Sequence, residues 1–93
     1  MEIQIDPHTL ERAEERGTTE KEIKEVIKTG FDIHAKYGRI GKAKVYNFEQ
    51  KRHGKYYEQK RVEVFYTLEE GKVVTVTVYV FYENGRLKYE YCI

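Results

Sequence analysis

His8, Arg12 and Arg16 stand four residues apart in the segment HTLERAEERG. On a helix, four positions advance 400°, so the three side chains fall within an arc of about 80°. A histidine can carry a proton near neutral pH, and two guanidiniums can hold the charge of a phosphate. The stripe therefore offers an acid–base group beside two anion-stabilising groups, which is chemistry for a phosphodiester. His8 falls in the first turn of such a helix, where the macrodipole favours anions. The same spacing also suits a solvated helix in a charge-rich chain. Arg12 can then pair with Glu15, and Arg16 with Glu20 across the following turn.

Two further groupings could act on a polyanion. Arg61 shares a strand side with Glu63, Phe65 and Thr67, and Tyr79 shares one with Thr75, Thr77 and Phe81. Rings and guanidiniums on an open sheet face can stack RNA bases and hold phosphates. The nine tyrosines and absent tryptophan fit that use. They fit equally well as half-buried strand residues. The segment KRHGKYY, residues 51–57, interleaves Lys51, Arg52 and Lys55 with rings and suits a loop gripping a backbone. No P-loop, Ser-His-Asp set or paired-carboxylate pattern occurs.

Charge supports the same direction. The net charge is +1 over 93 residues. Residues 1–31 hold five Lys/Arg against eight Asp/Glu, whereas residues 32–61 hold nine against three. Clustered cations are the footprint of a polyanion partner, or else lysines guarding a strand edge. Cys92 is the only cysteine, so no disulfide framework or cysteine-based zinc site is expected. His8, His34 and His53 show no ligand spacing, and neither a metal nor a cofactor is expected. No apolar run reaches 18 residues, and the first residues lack a signal-peptide pattern. A cytoplasmic location without a membrane partner is the expectation.

The elements that must position these residues are legible in outline. Ile3 and Ile5 flank Gln4 in a short strand. Asp6-Pro7 opens a helix that carries Leu10 and Ala13 inward and stops at Gly17. Thr19 and Glu22 form a capping box for a second helix bearing Ile23, Val26 and Ile27 and ending at Gly30. From Ile33 the period changes to two. Ile33, Ala35 and Tyr37 read as a strand, broken at Gly41 from the next, residues 42–49. Residues 50–58 read as a polar loop. Val62 to Leu68, then Val74, Val76, Val78 and Val80, alternate as two strands about the turn at Glu69-Glu70-Gly71. Asn84-Gly85 signals a further hairpin and a last strand. These elements make one α+β domain over residues 1–93. A helical hairpin packs on one face of a curved, mostly antiparallel sheet, in the order β-α-α-β-β-β-β.

The run HTLERAEERGTTEKEIKEVIKTG resembles the opening of the family called domain of unknown function 4258. The matching residues are His8, Arg12, Arg16, Gly17 and Thr19, followed by Gly30, the basic strands and VVTVTVYVFY. The similarity spans about residues 3–82, and residues 84–93 look like an added strand. That family is similar in its expected fold to the RelE, ParE and BrnT toxins. The resemblance implies a RelE-like toxin with a cognate antitoxin. It implies either a metal-independent endoribonuclease or a ParE-like protein that poisons by binding. For the ribonuclease, the expected catalytic set is His8, Arg12, Arg16, Arg61 and Tyr79. Lys51, Arg52, Lys55 and Tyr66 would hold the RNA, which could be ribosome-bound mRNA. For the binding protein, the basic middle segment and the open sheet face would form the contact surface.

Overall fold

A computed structural model describes residues 2–84. The Asn84-Gly85 turn and the strand expected after it lie outside the described residues. The chain runs β1 (Ile3–Gln4), α1 (Pro7–Arg16), α2 (Glu20–Thr29), β2 (Phe31–Ile33), β3 (Ile40–Arg52), β4 (Lys55–Glu69) and β5 (Lys72–Glu83). The sheet order is β1-β5-β4-β3-β2, antiparallel throughout except that β1 lies parallel to β5. Both helices pack on one face, so the domain is an α+β two-layer structure as expected.

The helix starts follow their caps. The Asp6 carboxylate accepts from the His8 amide, with Pro7 at the first helical position. The Thr19 hydroxyl accepts from the Glu22 amide. The second half of that capping box is diverted. Glu22 Oε1 accepts from the Thr18 hydroxyl at 2.8 Å and from the Lys60 ammonium at 2.9 Å. Gly17 ends α1 at φ 92, and a Cβ there would lie 2.2 Å from the Tyr82 hydroxyl oxygen.

Val62 and Val64 on β4 meet Ala13, Ile23, Val26 and Ile27 from the helices in one core cluster. Cross-strand register puts Lys42, Lys44 and Tyr46 on this same face. Two bulges bend the sheet. On β5, Val76 is the extra residue between the pairs Phe65–Thr77 and Tyr66–Thr75. Val78 and Val80 therefore face the helices, but so do Val73 and Thr75, and Val74 turns to the opposite face. The uniform valine alternation expected along this strand is broken at that bulge. On β3, register shifts between Asn47 and Gln50, with Glu49 at φ 50.

Three other boundaries differ from expectation. Residues 50–58 are strand and a tight turn, with His53 and Gly54 both left-handed, so the hairpin needs two turn residues instead of a loop. Gly41 does not break a strand; it lies inside β3, where a Cβ would stand 2.9 Å from both Ile33 and Phe65 side chains. β2 stops at Ile33, and residues 34–39 form a loop turning at Tyr37 and Gly38, φ 61 and 71.

The carbonyls at the end of α1 collect three strand side chains. Arg52 Nη2 donates to Glu15 O at 2.8 Å, Tyr82 Oη to Arg16 O at 2.6 Å and Lys60 Nζ to Gly17 O at 2.8 Å. Cations suit a helix C-terminus, where four carbonyls lack helical partners. Rings pack around these donors: Tyr82 meets Phe48 at 5.1 Å and Tyr57 at 5.4 Å.

Lys60→Ala would leave Glu22 and the Gly17 carbonyl without their shared donor in a largely buried setting. The expected loss is about 2–3 kcal/mol of unfolding free energy, read by urea denaturation. Alkaline pH provides a second check. Tyr46 donates to Glu25 at 2.8 Å, and burial, then that hydrogen bond, pushes its pKa well above the ordinary phenol value. Burial also raises Tyr82, partly opposed by Arg52. Both phenols thus hold their protons more tightly folded than unfolded. Their contribution is complete below the unfolded phenol pKa of about 10 and is lost as pH climbs toward the folded values. Stability should fall above pH ~10, and Tyr46→Phe should make that fall shallower.

Candidate nucleic-acid interface

The helices leave one sheet face uncovered among the described residues. Register places Phe31, Ala43, Val45, Arg61, Glu63, Phe65, Tyr79 and Phe81 there. Phe31, Tyr79 and Phe81 are 49%, 41% and 47% exposed. These rings form a connected surface. Phe65 meets Tyr79 edge-on at 6.0 Å, and Tyr79 stacks with Phe81 at 6.4 Å. The Arg61 guanidinium lies 5.3 Å from the centre of the Phe31 ring, and its Nε donates to Glu63 at 2.8 Å. Glu63 offsets part of that charge while fixing the plane of the guanidinium. Exposed rings with a guanidinium among them offer π-faces to unstacked bases and a cation to a phosphate.

The α1 stripe divides. α1 buries Thr9 and Ala13, while Leu10 stays 38% exposed. The inward face is thus turned from the one that Leu10 and Ala13 marked. At 100° per residue Arg16 lies within about 20° of Thr9, so this rotation carries Arg16 against the sheet. Its Nη1 donates to Val78 O at 2.6 Å, and its guanidinium rests 5.1 Å from the centre of the Tyr79 ring. No Arg16–Glu20 pair forms; the edge of β5 takes the guanidinium instead. Arg12 lies on the flank of α1, one-third exposed at 33%, and pairs with Glu15 at 3.1 Å. His8 is exposed in the first turn, about 12 Å along the axis from Arg16. Of the set His8, Arg12, Arg16, Arg61 and Tyr79, the structure brings Arg16 to Tyr79 and holds Tyr79 and Arg61 on one face. It leaves His8 and Arg12 on the helix.

The residues expected to hold RNA also divide. Lys51 and Lys55 are exposed beside the His53-Gly54 turn, with Lys55 over the Tyr57 ring at 5.5 Å. Arg52 is turned back onto α1, where it also lies 4.9 Å from the Tyr82 ring centre. Tyr66 is 6% exposed, on the helix side of β4 within the core cluster. Its ring is closed to a base, because even positions of β4 face the helices.

The β2–β3 loop supplies residues that strand alternation concealed. A cavity of about 220 Å³ lies between this loop and the sheet, lined by His34, Lys36, Tyr37, Arg39, Thr77 and Tyr79 among others. The pair Tyr37-Gly38 was the available signal, since a glycine after one residue of an alternating run marks a left-handed turn. A larger cleft of about 490 Å³ lies beside Leu10 between the helices, but Glu11, Glu14 and Glu20 line it and repel a polyanion. Among the described residues, no group of three His, Cys, Asp or Glu side chains could hold a metal ion. No helix there is long and apolar enough to cross a membrane.

The chain matches the family model described as Domain of unknown function (DUF4258) over residues 5–80, and it belongs to that family. No curated protein and no solved structure matches it.

The divided stripe makes a test. Arg16→Ala should lower stability by about 1–2 kcal/mol, through a lost charged hydrogen bond and ring contact. His8→Ala, at an exposed position, and Arg12→Ala, which loses only a surface ion pair with Glu15, should stay within about 0.5 kcal/mol of the parent in urea denaturation.

Proposed function

We propose that this protein binds single-stranded RNA across the open face of its sheet. The observation that carries the reading is the connected surface of Phe31, Phe65, Tyr79 and Phe81 with Arg61 within it and Arg16 at its rim. Stacking needs bases that are not already stacked, so the surface favours a single strand over a duplex. Its rings accept any base, and its cations read only the backbone. Lys51 and Lys55 add charge at the far end of β3.

Metal-independent cleavage, in the manner of a RelE-like toxin, is a second reading. The contact of Arg16 with Tyr79 favours it, because it joins the α1 stripe to the open face across the edge of β5. A strand crossing that edge would meet Arg16 first and Arg12 and His8 beyond it. There the 2′-oxygen would attack the adjacent phosphorus and form a cyclic phosphate. The 5′-oxygen of the next nucleotide would leave, with a proton taken from the 2′-hydroxyl and one given to the departing oxygen. His8 would carry the proton, and Arg12 and Arg16 would hold the phosphorane charge. A cognate antitoxin would act by covering the open face.

Binding of a 5′-fluorescein-labelled decauridylate, read by anisotropy at low salt, tests the first reading. Phe81→Ala should weaken it about 5- to 150-fold, the range for loss of one stacked base. Arg61→Gln should weaken it and lessen the salt dependence by about one phosphate contact. A parent protein that leaves the anisotropy unchanged rules the reading out. The same oligonucleotide with EDTA present tests cleavage: fragments from the parent and none from His8→Ala are expected. Equal fragments from both would remove His8 from the chemistry.

A further inference from the structure

The β2–β3 loop holds a side chain in a conformation that its turn does not favour. Tyr37 and Gly38 are both left-handed, and the Arg39 amide donates to Lys36 O at 3.2 Å, which closes a two-residue turn of the mirror-image type. Glycine or asparagine suits the first of these positions, and a bulky ring there is uncommon. Packing does not explain it, because Tyr37 is 85% exposed. His53 and Glu70 hold the same left-handed position before a glycine in two other turns, so what marks Tyr37 is the ring and what surrounds it.

The surroundings state what the ligand would be. The Arg39 guanidinium sits 5.8 Å from the centre of the Tyr37 ring. His34, Lys36 and Arg39 line the cavity behind the ring, with Thr77 and Tyr79 from β5, and none of its lining residues is acidic. At about 220 Å³ the cavity is smaller than a typical drug-sized pocket and suits a fragment such as one base. Tyr79 is shared with the open face, where Arg16 flanks it. A strand lying on the rings of β4 and β5 would therefore run into this cavity.

We propose that the β2–β3 loop and the sheet beside it form a subsite for one nucleotide of a single-stranded RNA, its base between Tyr37 and Tyr79 and its phosphate on Lys36 and Arg39. The assignment rests on the RNA reading of the open face and fixes one end of the bound strand. His34 adds a donor beside the phosphate. The hairpin end, with Lys51 and Lys55, lies at the opposite end of β3 and is a separate contact.

Tyr37→Asn separates binding from folding, since asparagine fits the turn better than tyrosine. This variant should melt at or above the temperature of the parent yet bind labelled decauridylate at least tenfold more weakly. Arg39→Gln should also bind at least tenfold more weakly, with a log–log salt slope smaller by about 0.7, the share of one phosphate on a single strand. If both variants bind within twofold of the parent while Phe81→Ala weakens binding, the subsite is overturned and the open-face reading stands. If the parent itself does not bind the oligonucleotide, both fall. A Tyr37→Asn protein that melts well below the parent would show Tyr37 to be a structural residue, and would likewise overturn the assignment.

Discussion

Three donors from three different strands converge on three successive carbonyls at the end of α1: Arg52 on Glu15, Tyr82 on Arg16 and Lys60 on Gly17. That convergence fixes how the helical hairpin sits on the sheet. Lys60 does more than cap, because its ammonium also holds Glu22 at the start of α2. One cation on the central strand thus ties both helices together, and Gly17 leaves space where Tyr82 and Arg52 close in. A side chain at residue 17 would collide with two of the three donors. The direction of α1, and with it the position of Arg16, follows from this arrangement.

With α1 held there, the tyrosines separate by role. Tyr46, Tyr66 and Tyr82 lie on the helix side, donating to Glu25 or Arg16 or joining the core, and Tyr57 packs on the Tyr82 ring. Tyr37 and Tyr79 stand on the other side of the sheet or at its rim. Composition alone gives both groups the same appearance. What distinguishes them is strand parity, which the bulges on β3 and β5 reset along the way.

The parts legible in the sequence were those with local causes. Asp6-Pro7, Thr19 and Glu70-Gly71 act within a few residues, and each stands where capping and turn chemistry put it. The parts that escaped depend on distant neighbours. Gly41 reads as a breaker, but it is a strand residue whose missing side chain makes room for Ile33 and Phe65. Val76 reads as one more inward valine until β4 is laid beside it. Arg52 reads as a loop cation until α1 presents it with a carbonyl. The candidate site was half visible for the same reason. Its types of residue were apparent, but the membership of Arg16, Tyr66 and His34 turned on a helix rotation, a strand face and a loop boundary.

The bond from Arg16 to the Val78 carbonyl has a consequence for colloidal behaviour. Among the described residues, the outer edge of β5 beyond its two-residue pairing with β1 presents a row of apolar and aromatic strand residues. An unguarded edge of that kind is a template for intermolecular strand addition. The guanidinium occupies a carbonyl on that edge and sets a charge beside it. On the opposite side, the bulge near Glu49 bends β3 where β2 no longer covers it. Among the described residues, the guanidinium on β5 and the bend in β3 thus make each of these two stretches a poorer template for strand addition.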